Sequence, residues 1–221
     1  QDRKQNIINQ LHKGVQHLMK KGQIDVYEGI GRILGPSIFS PIPGTISVEM
    51  NNGSENEMLI PKNIIIATGS RPRTLPGLSI DREYVMTSDE ALEMESLPDS
   101  MIIVGGGVIG IEWASMLSDF GVKVTVIEYA DRIIPTEDHE ISKEMQRLLK
   151  KKGITILTSA KVLPESLVKD HGVTIAAEIN GDVREFKAEK ILVSVGRQAN
   201  TEGIGLENTE IQIEKGFIAV N

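Results

Sequence analysis

Apolar residues recur along the chain at two different periods, and the switches between them mark out its elements. Ile7, Ile8, Leu11, Val15, Leu18 and Met19 fall three and four apart, which predicts a helix from about residue 3 to 21. Ile24, Val26 and Tyr27 predict a short strand, and the following Gly29-Ile30-Gly31-Arg32-Ile33 permits close backbone approach to a neighbour. Thr45 to Met50 and Glu57 to Ile60 alternate apolar with polar positions around Asn52-Gly53, the pattern of an antiparallel hairpin. Asn63-Ile64-Ile65-Ile66-Ala67-Thr68-Gly69-Ser70 is a continuous apolar run that ends in small residues before Arg71-Pro72-Arg73, and it predicts a buried strand. From Thr74 to Pro98 the chain is turn-rich, with Pro76-Gly77, a short helix near Asp89 to Met94 and Leu97-Pro98-Asp99; this stretch reads as a crossing between domains.

The apolar run Met101-Ile102-Ile103-Val104 then enters Gly105-Gly106-Gly107-Val108-Ile109-Gly110, a G-x-G-x-x-G turn. Trp113, Ala114, Met116, Leu117 and Phe120 follow at helical spacing, Gly121 fits a helix end, and Val122 to Ile127 predicts a second strand. Strand, glycine turn, helix and strand form a βαβ unit. Its glycines let the backbone approach a pyrophosphate at the helix N-terminus, so the unit predicts a dinucleotide site. Glu128 ends the second strand 128 − 105 = 23 residues after the first glycine. That is close to the roughly 20-residue offset of the acid that holds a ribose 2′-hydroxyl. An acid there repels a 2′-phosphate, which favours NAD over NADP. Beyond it, Asp138 to Lys152 predicts a helix with Ile141, Met145, Leu148 and Leu149 on its inner face, ended by Gly153. Ile154 to Leu157 predicts a parallel strand, Val173 to Ile179 and Val183 to Lys187 a hairpin around Asn180-Gly181, and Ile191 to Arg197 another buried strand. The runs at 64–71 and 191–197 share one plan, a hairpin and then an apolar strand ending in glycine and arginine, as two related domains would.

Composition narrows the chemistry. The 24 basic residues are outnumbered by 31 acidic ones, a net charge of −7 that opposes nucleic-acid or membrane-surface binding. No apolar run approaches the ~20 residues of a membrane helix, and no signal-type leader opens the sequence, so cytoplasm is the expected location. Cysteine is absent, which removes thiolate chemistry, and His12, His17, His139 and His171 lack metal-ligand spacing, so no metal is expected.

Taken together, Ile65 to Pro72, Val104 to Glu112, Val126-Ile127-Glu128 and Val193 to Gly203 resemble the flavin-dependent pyridine nucleotide-disulfide oxidoreductases in order and spacing, over nearly the whole chain. The match is strongest to members that oxidise protein-bound dihydrolipoamide. The resemblance implies an α/β fold: a Rossmann-like NAD-binding domain with a parallel sheet and an antiparallel β-meander at 88–214, a partial FAD-binding domain at 1–87, and the start of a return to it at 215–221. It implies FAD contacts at Gly31, Thr68, Gly69 and Ser70, and NAD contacts at Gly105, Gly106, Gly107, Val108, Ile109, Gly110 and Ile111. It further implies that Glu112 lies near the nicotinamide, Glu128 on the adenosine ribose, Val162 near the adenine, and Gly196 near the dinucleotide. No residue is assigned a catalytic role. The implied cofactors are NAD and FAD, and the implied partners of the intact enzyme are the lipoyl domain of a 2-oxo acid dehydrogenase complex and a second copy of itself.

The chain departs from the family pattern in several places. Ala199 stands where proline is common, and the flavin fingerprint, the Cys-x4-Cys pair, the Gly-Asp flavin motif and the His-Glu pair are missing. An internal, inactive segment of a longer enzyme is therefore expected. A freestanding NAD-binding redox sensor, or another member such as an NADH oxidase, is the alternative.

Overall fold

The computed structural model describes residues 1–36 and 44–220. In chain order the elements are α1 (Asp2–Lys21), β1 (Gly29–Ile33), β2 (Ile46–Met50), β3 (Glu57–Leu59), β4 (Ser70–Pro72), β5 (Val85–Thr87), α2 (Ser88–Ala91), β6 (Ser100–Val104) and α3 (Val108–Asp119). They continue with β7 (Lys123–Ile127), α4 (His139–Lys151), β8 (Thr155–Leu157), β9 (Ala160–Lys169), β10 (Val173–Ile179), β11 (Asp182–Ala188) and β12 (Lys190–Val193). β13 (Arg197–Ala199), β14 (Ile213–Glu214) and β15 (Phe217–Ile218) complete the order. Among the described residues no helix is long and apolar enough to cross a membrane.

The chain divides into two compact units, Gln1–Ser70 with Ala199–Asn221, and Arg71–Gln198. These divisions fall earlier than the expected domain limits at 87/88 and 214/215, and pairing explains the first. Val85–Thr87 runs parallel to Ile191–Val193, so β5 is a strand of the second unit's sheet. Within the expected return segment 215–221, Asn221 lies outside the described residues.

In the first unit α1 forms where its periodicity predicts, with Asp2 in its first turn and Lys20 and Lys21 in its last, each favoured by the helix dipole. None of its residues is buried, and Ile7, Ile8, Leu11, Val15 and Leu18 remain exposed. β1, β2 and β3 form an antiparallel sheet in that order, and the predicted 45–60 hairpin is its β2-β3 half. The strand predicted at Ile24 to Tyr27 lies instead at Gly29–Ile33. The register there pairs Gly29 with Met50 and Ile33 with Ile46, and residues 24–27 precede any partner. Gly29 is required because a Cβ would collide with the Glu49 carbonyl oxygen. The buried strand predicted over 63–70 is also corrected. Residues 64–69 carry no strand and Ile65 is 91% exposed, because among the described residues no strand pairs with them and a ladder needs a neighbour.

The second unit is built on a five-stranded parallel sheet in the order β5-β12-β6-β7-β8. Beyond their first residues its central strands β6 and β12 are apolar throughout, because both faces are covered, and β7 interrupts its apolar residues only with the half-buried Thr125. Met101 and Ile103 of β6 point to the side of α3 and α4, where they pack with Ala114, Leu117 and Leu149. Ile102 and Val104 point to the other side, where they meet Val162, Ile175 and Ala177 of an antiparallel sheet ordered β11-β10-β9. The β10-β11 turn is the predicted Asn180-Gly181, with φ of +54° and +87°, the two left-handed residues a tight hairpin needs. The long strand β9 was not predicted. Its pairing with β10 shifts between Thr174 and Ala176, where Pro164 and Ser166 sit, and the Ser166 hydroxyl closes the bulge by accepting from Ala176 N (2.7 Å) and donating to Leu163 O (2.6 Å). α2 is shorter than predicted, one turn at 88–91, and is opened by a capping box between Thr87 and Glu90.

Candidate dinucleotide site

At the carboxyl ends of β6, β7 and β12 the second unit opens into a cleft of about 710 Å³. The chain leaves β6 toward β7 on one side and reaches β12 only much later on the other, so the cleft lies at the switch point where parallel α/β sheets bind ligands. Val104, Gly105 and Gly107 line it from the first strand and turn, and Ile127, Glu128 and Tyr129 from the second. Ala160, Lys161 and Val162 line it from β9, and Ser194, Val195 and Gly196 from the end of β12.

The glycines of the turn are there for different reasons. Gly105 has φ of +108°, and a Cβ on it would collide with the Ser194 carbonyl oxygen. Gly110, on the first turn of α3, is packed so that a Cβ would strike the Gly105 carbonyl oxygen. These two let helix and strands close on each other. Gly107 differs: a Cβ there meets nothing within 4 Å, so protein packing does not demand glycine. The space it leaves belongs to the cleft. Gly107 caps α3 without a side-chain hydrogen bond, no acid sits in the first turn, and the first intrahelical bond is Ile111 N to Gly107 O (3.0 Å). The N–H groups of Val108, Ile109 and Gly110 thus lack intrahelical acceptors, and with the positive end of the dipole they make an anion-binding position.

Glu128 is half-buried at the end of β7, and its carboxylate is fixed from two sides. Gly106 N donates to Oε2 (2.5 Å) and Ala130 N donates to Oε1 (2.6 Å). Each carboxylate oxygen accepts one of these bonds and has lone pairs for more, so both retain capacity for a sugar hydroxyl while the backbone fixes their direction. β9 is fastened beside this group through Ala160 N to Glu128 O (2.9 Å) and Ser159 N to Ala130 O (2.7 Å), which brings Val162 to the same cleft. Ser194 donates from its hydroxyl to Gly105 O (3.0 Å), tying the turn to the end of β12.

Of the residues singled out from the sequence, Gly105, Gly107, Glu128, Val162 and Gly196 line one cleft, and Gly106, Val108, Ile109, Gly110 and Ile111 form its turn and helix start. Glu112 is exposed on α3 beside Trp113, Met116 and Phe120 and does not line the cleft. Gly31 and Thr68 share a hollow of about 150 Å³ in the first unit. There Thr68 Oγ1 donates to Asn200 O (2.7 Å), Asn200 Nδ2 donates to Thr68 O (3.0 Å), and Asn200 N donates to Gly69 O (3.0 Å), an arrangement that makes the exposed Thr68-Gly69-Ser70 segment a braced turn. The hollow is far smaller than the roughly 300–1,000 Å³ of cofactor sites, so the described residues of this unit do not themselves enclose a flavin. Sequence reasoning missed Tyr129, Pro135, Lys161, Pro164 and Ser194 as lining residues. Tyr129 directly follows the strand predicted to end at Glu128, and Ser194 lies within the run predicted over 191–197 but just past the observed end of β12 at Val193, so the rule that ligands sit at the carboxyl ends of parallel strands marks both.

The chain matches the pyridine nucleotide-disulphide oxidoreductase family over residues 2–221. It is 70% identical to a dihydrolipoyl dehydrogenase of Bacillus subtilis (strain 168), an alignment covering 100% of this chain and 47% of that relative. It is 36% identical to the dihydrolipoyl dehydrogenase of Zymomonas mobilis, covering 99% of this chain and 45% of the relative. Among solved structures it is similar to LpdA from Mycobacterium tuberculosis (TM-score 0.83, 25% identity, 96% of this chain and 45% of that one). It is also similar to the HOCl-induced flavoprotein disulfide reductase RclA from Escherichia coli (TM-score 0.80, 26% identity, 100% and 47%). The chain spans about half the length of the curated relatives it matches. With a glycine turn, a fixed acid and a switch-point cleft in one unit, and a family match along nearly its whole length, this chain belongs to the pyridine nucleotide-disulphide oxidoreductases.

Proposed function

We propose that this chain supplies the NAD-binding portion, with part of the flavin domain, of a dihydrolipoamide dehydrogenase. The observation that carries the proposal is the juxtaposition of Gly107's open backbone and the fixed Glu128 carboxylate in one cleft. The fit to a dinucleotide is chemical and steric. Uncapped N–H groups at the start of α3 suit a diphosphate, and Glu128 suits the adenosine ribose. Val162, buried beside it, suits the adenine, and the cleft volume falls within the usual range for a cofactor. Glu128 selects NAD over NADP by repelling a 2′-phosphate.

When bound, NAD supplies the hydride acceptor, and the residues of this chain hold and orient it. In the intact enzyme a redox disulfide and FAD would carry electrons from the dihydrolipoamide of a 2-oxo acid dehydrogenase complex, and two copies would pair. This chain holds no cysteine, so the dithiol step belongs to other residues. Fluorescence titration of the purified 221 residues is expected to show NADH binding, weaker NADPH binding, poor FAD binding and no lipoamide-dependent NADH formation. NADPH binding as tightly as NADH would overturn the role given to Glu128, and absence of NADH binding would overturn the site.

A further inference from the structure

Ile134 is the least comfortable residue beside the cleft. It has φ of +39°, a left-handed conformation that a β-branched side chain adopts only under constraint, and it is 5% exposed. The constraints are visible. Its side chain packs in the core on the α3 side of the sheet, and Ser142 Oγ donates to the preceding Ile133 carbonyl (2.7 Å). Arg132 Nη2 donates to the carbonyl of Pro135 (2.8 Å), and Pro135 itself lines the cleft. In this conformation the Ile134 N–H donates to the carbonyl of Gly106 at 2.7 Å.

Gly106 is thereby held on both sides, its N–H by Glu128 and its carbonyl by Ile134. The Gly106 carbonyl and the Gly107 N–H belong to one peptide plane, which is trans, so they point in opposite directions. Fixing the carbonyl on Ile134 turns a repulsive oxygen away and leaves the Gly107 N–H directed oppositely, at a residue that lines the cleft and has open space where a Cβ would stand. That N–H has no protein acceptor among the described residues.

We propose that Ile134 is a positioning residue for the dinucleotide: its strained backbone sets the Gly106–Gly107 peptide plane and aims the Gly107 N–H at the diphosphate. This rests on the dinucleotide reading of the cleft. It assigns to the 132–135 loop a task in ligand binding that its position outside the glycine turn and the ribose acid does not suggest.

The test replaces Ile134 by its α-hydroxy acid, which deletes the N–H and keeps the side chain, and compares NADH with adenosine, which lacks the diphosphate. NADH binding is expected to weaken about tenfold, the equivalent of one lost hydrogen bond, with adenosine binding unchanged and the Gly107 amide resonance displaced. The ester also weakens the Ile133 carbonyl as an acceptor. Ser142→Ala serves as its control and should leave the NADH-to-adenosine ratio as in the parent. Ile134→Gly retains the N–H in a residue at ease with positive φ, and it too should keep the ratio. Unchanged NADH binding in the ester, parallel loss of both ligands, or loss of the ratio in Ile134→Gly would overturn the proposal. If the unsubstituted chain itself fails to bind NADH, the dinucleotide reading falls and takes the proposal with it.

Discussion

Substitution by alanine separates the three glycines of the turn. At Gly107, with φ of −71° and nothing near its missing Cβ, alanine is tolerated by the fold, and stability should change by no more than about 1 kcal/mol. The added methyl nevertheless enters the space a diphosphate needs, and NADH affinity should fall at least about tenfold, measured by titration alongside thermal unfolding. Gly110→Ala behaves oppositely. Its Cβ would strike the Gly105 carbonyl, so helix and strand must separate at a cost of about 1–3 kcal/mol or more, read directly as a lowered Tm. A G107A variant that melts early, or a G110A variant that melts like the parent, would reverse these roles. At this scale the sequence is most readable where backbone chemistry is involved. The spacing of Gly105, Gly107, Gly110 and Glu128 points to the site before any coordinates, because close approach and ribose recognition admit few residue types. What spacing cannot show is that Glu128 receives N–H bonds from Gly106 and Ala130, or that Ile134 turns left-handed to hold Gly106, since both depend on how the chain after β7 folds back.

Secondary-structure elements are readable from period, but the face they bury is less so. In α4 the apolar positions Ile141, Met145, Leu148 and Leu149 predict the inner face; Leu149 is turned inward as expected, but the other three are exposed and Ser142 is buried beside it. The reason is that Ser142 anchors the helix through the buried Ile133 carbonyl, and that bond fixes the helix's rotation. Leu149→Ala should therefore cost about 2–5 kcal/mol in denaturant unfolding, whereas Leu148→Ala should change stability by less than about 0.5 kcal/mol. Equal losses would mean α4 is rotated relative to this description. A second stitch joins the end of β9 to the loop before β5. Burial raises the Asp81 carboxyl, but Lys169 (2.5 Å) and the N–H groups of Val85, Tyr84 and Glu83 outweigh it and hold the pKa at about 2. A depressed carboxylate contributes stability above its unfolded value near 4 and loses it as the pH falls toward 2. After allowance for solvent screening of this partly exposed pair the contribution is of order 1 kcal/mol. Asp81→Asn should lower stability at neutral pH and flatten the decline between pH 4 and 2, measured by denaturant titration at each pH. An unchanged slope would show that the carboxylate is not held in this way.

Across the whole chain, the two units differ in how much of their apolar surface they bury for themselves. In Arg71–Gln198 both faces of the parallel sheet are covered; β6 and β12 are buried beyond their first residues, and β7 is buried at Val124, Val126 and Ile127. The same double burial made β6 and β12 readable as continuous apolar runs. The run Ile64-Ile65-Ile66 has the same composition and forms no strand, because composition records a demand for neighbours and pairing depends on their presence among the described residues. In the first unit α1 buries none of its residues and its stripe from Ile7 to Leu18 is open to solvent. Helices of this kind draw most of their stability from packing, so α1 is held chiefly by its own hydrogen bonds. Native-state hydrogen exchange should therefore show α1 amides opening with the smallest free energies and β6, β7 and β12 amides with the largest. The same asymmetry predicts that residues 71–198 expressed alone fold cooperatively and bind NADH within about threefold of the 221-residue chain, since every residue lining the cleft lies between Leu75 and Gly196. A product that is unfolded, or that has lost NADH binding while folded, would show that the first unit supports the cleft in a way its own geometry does not reveal.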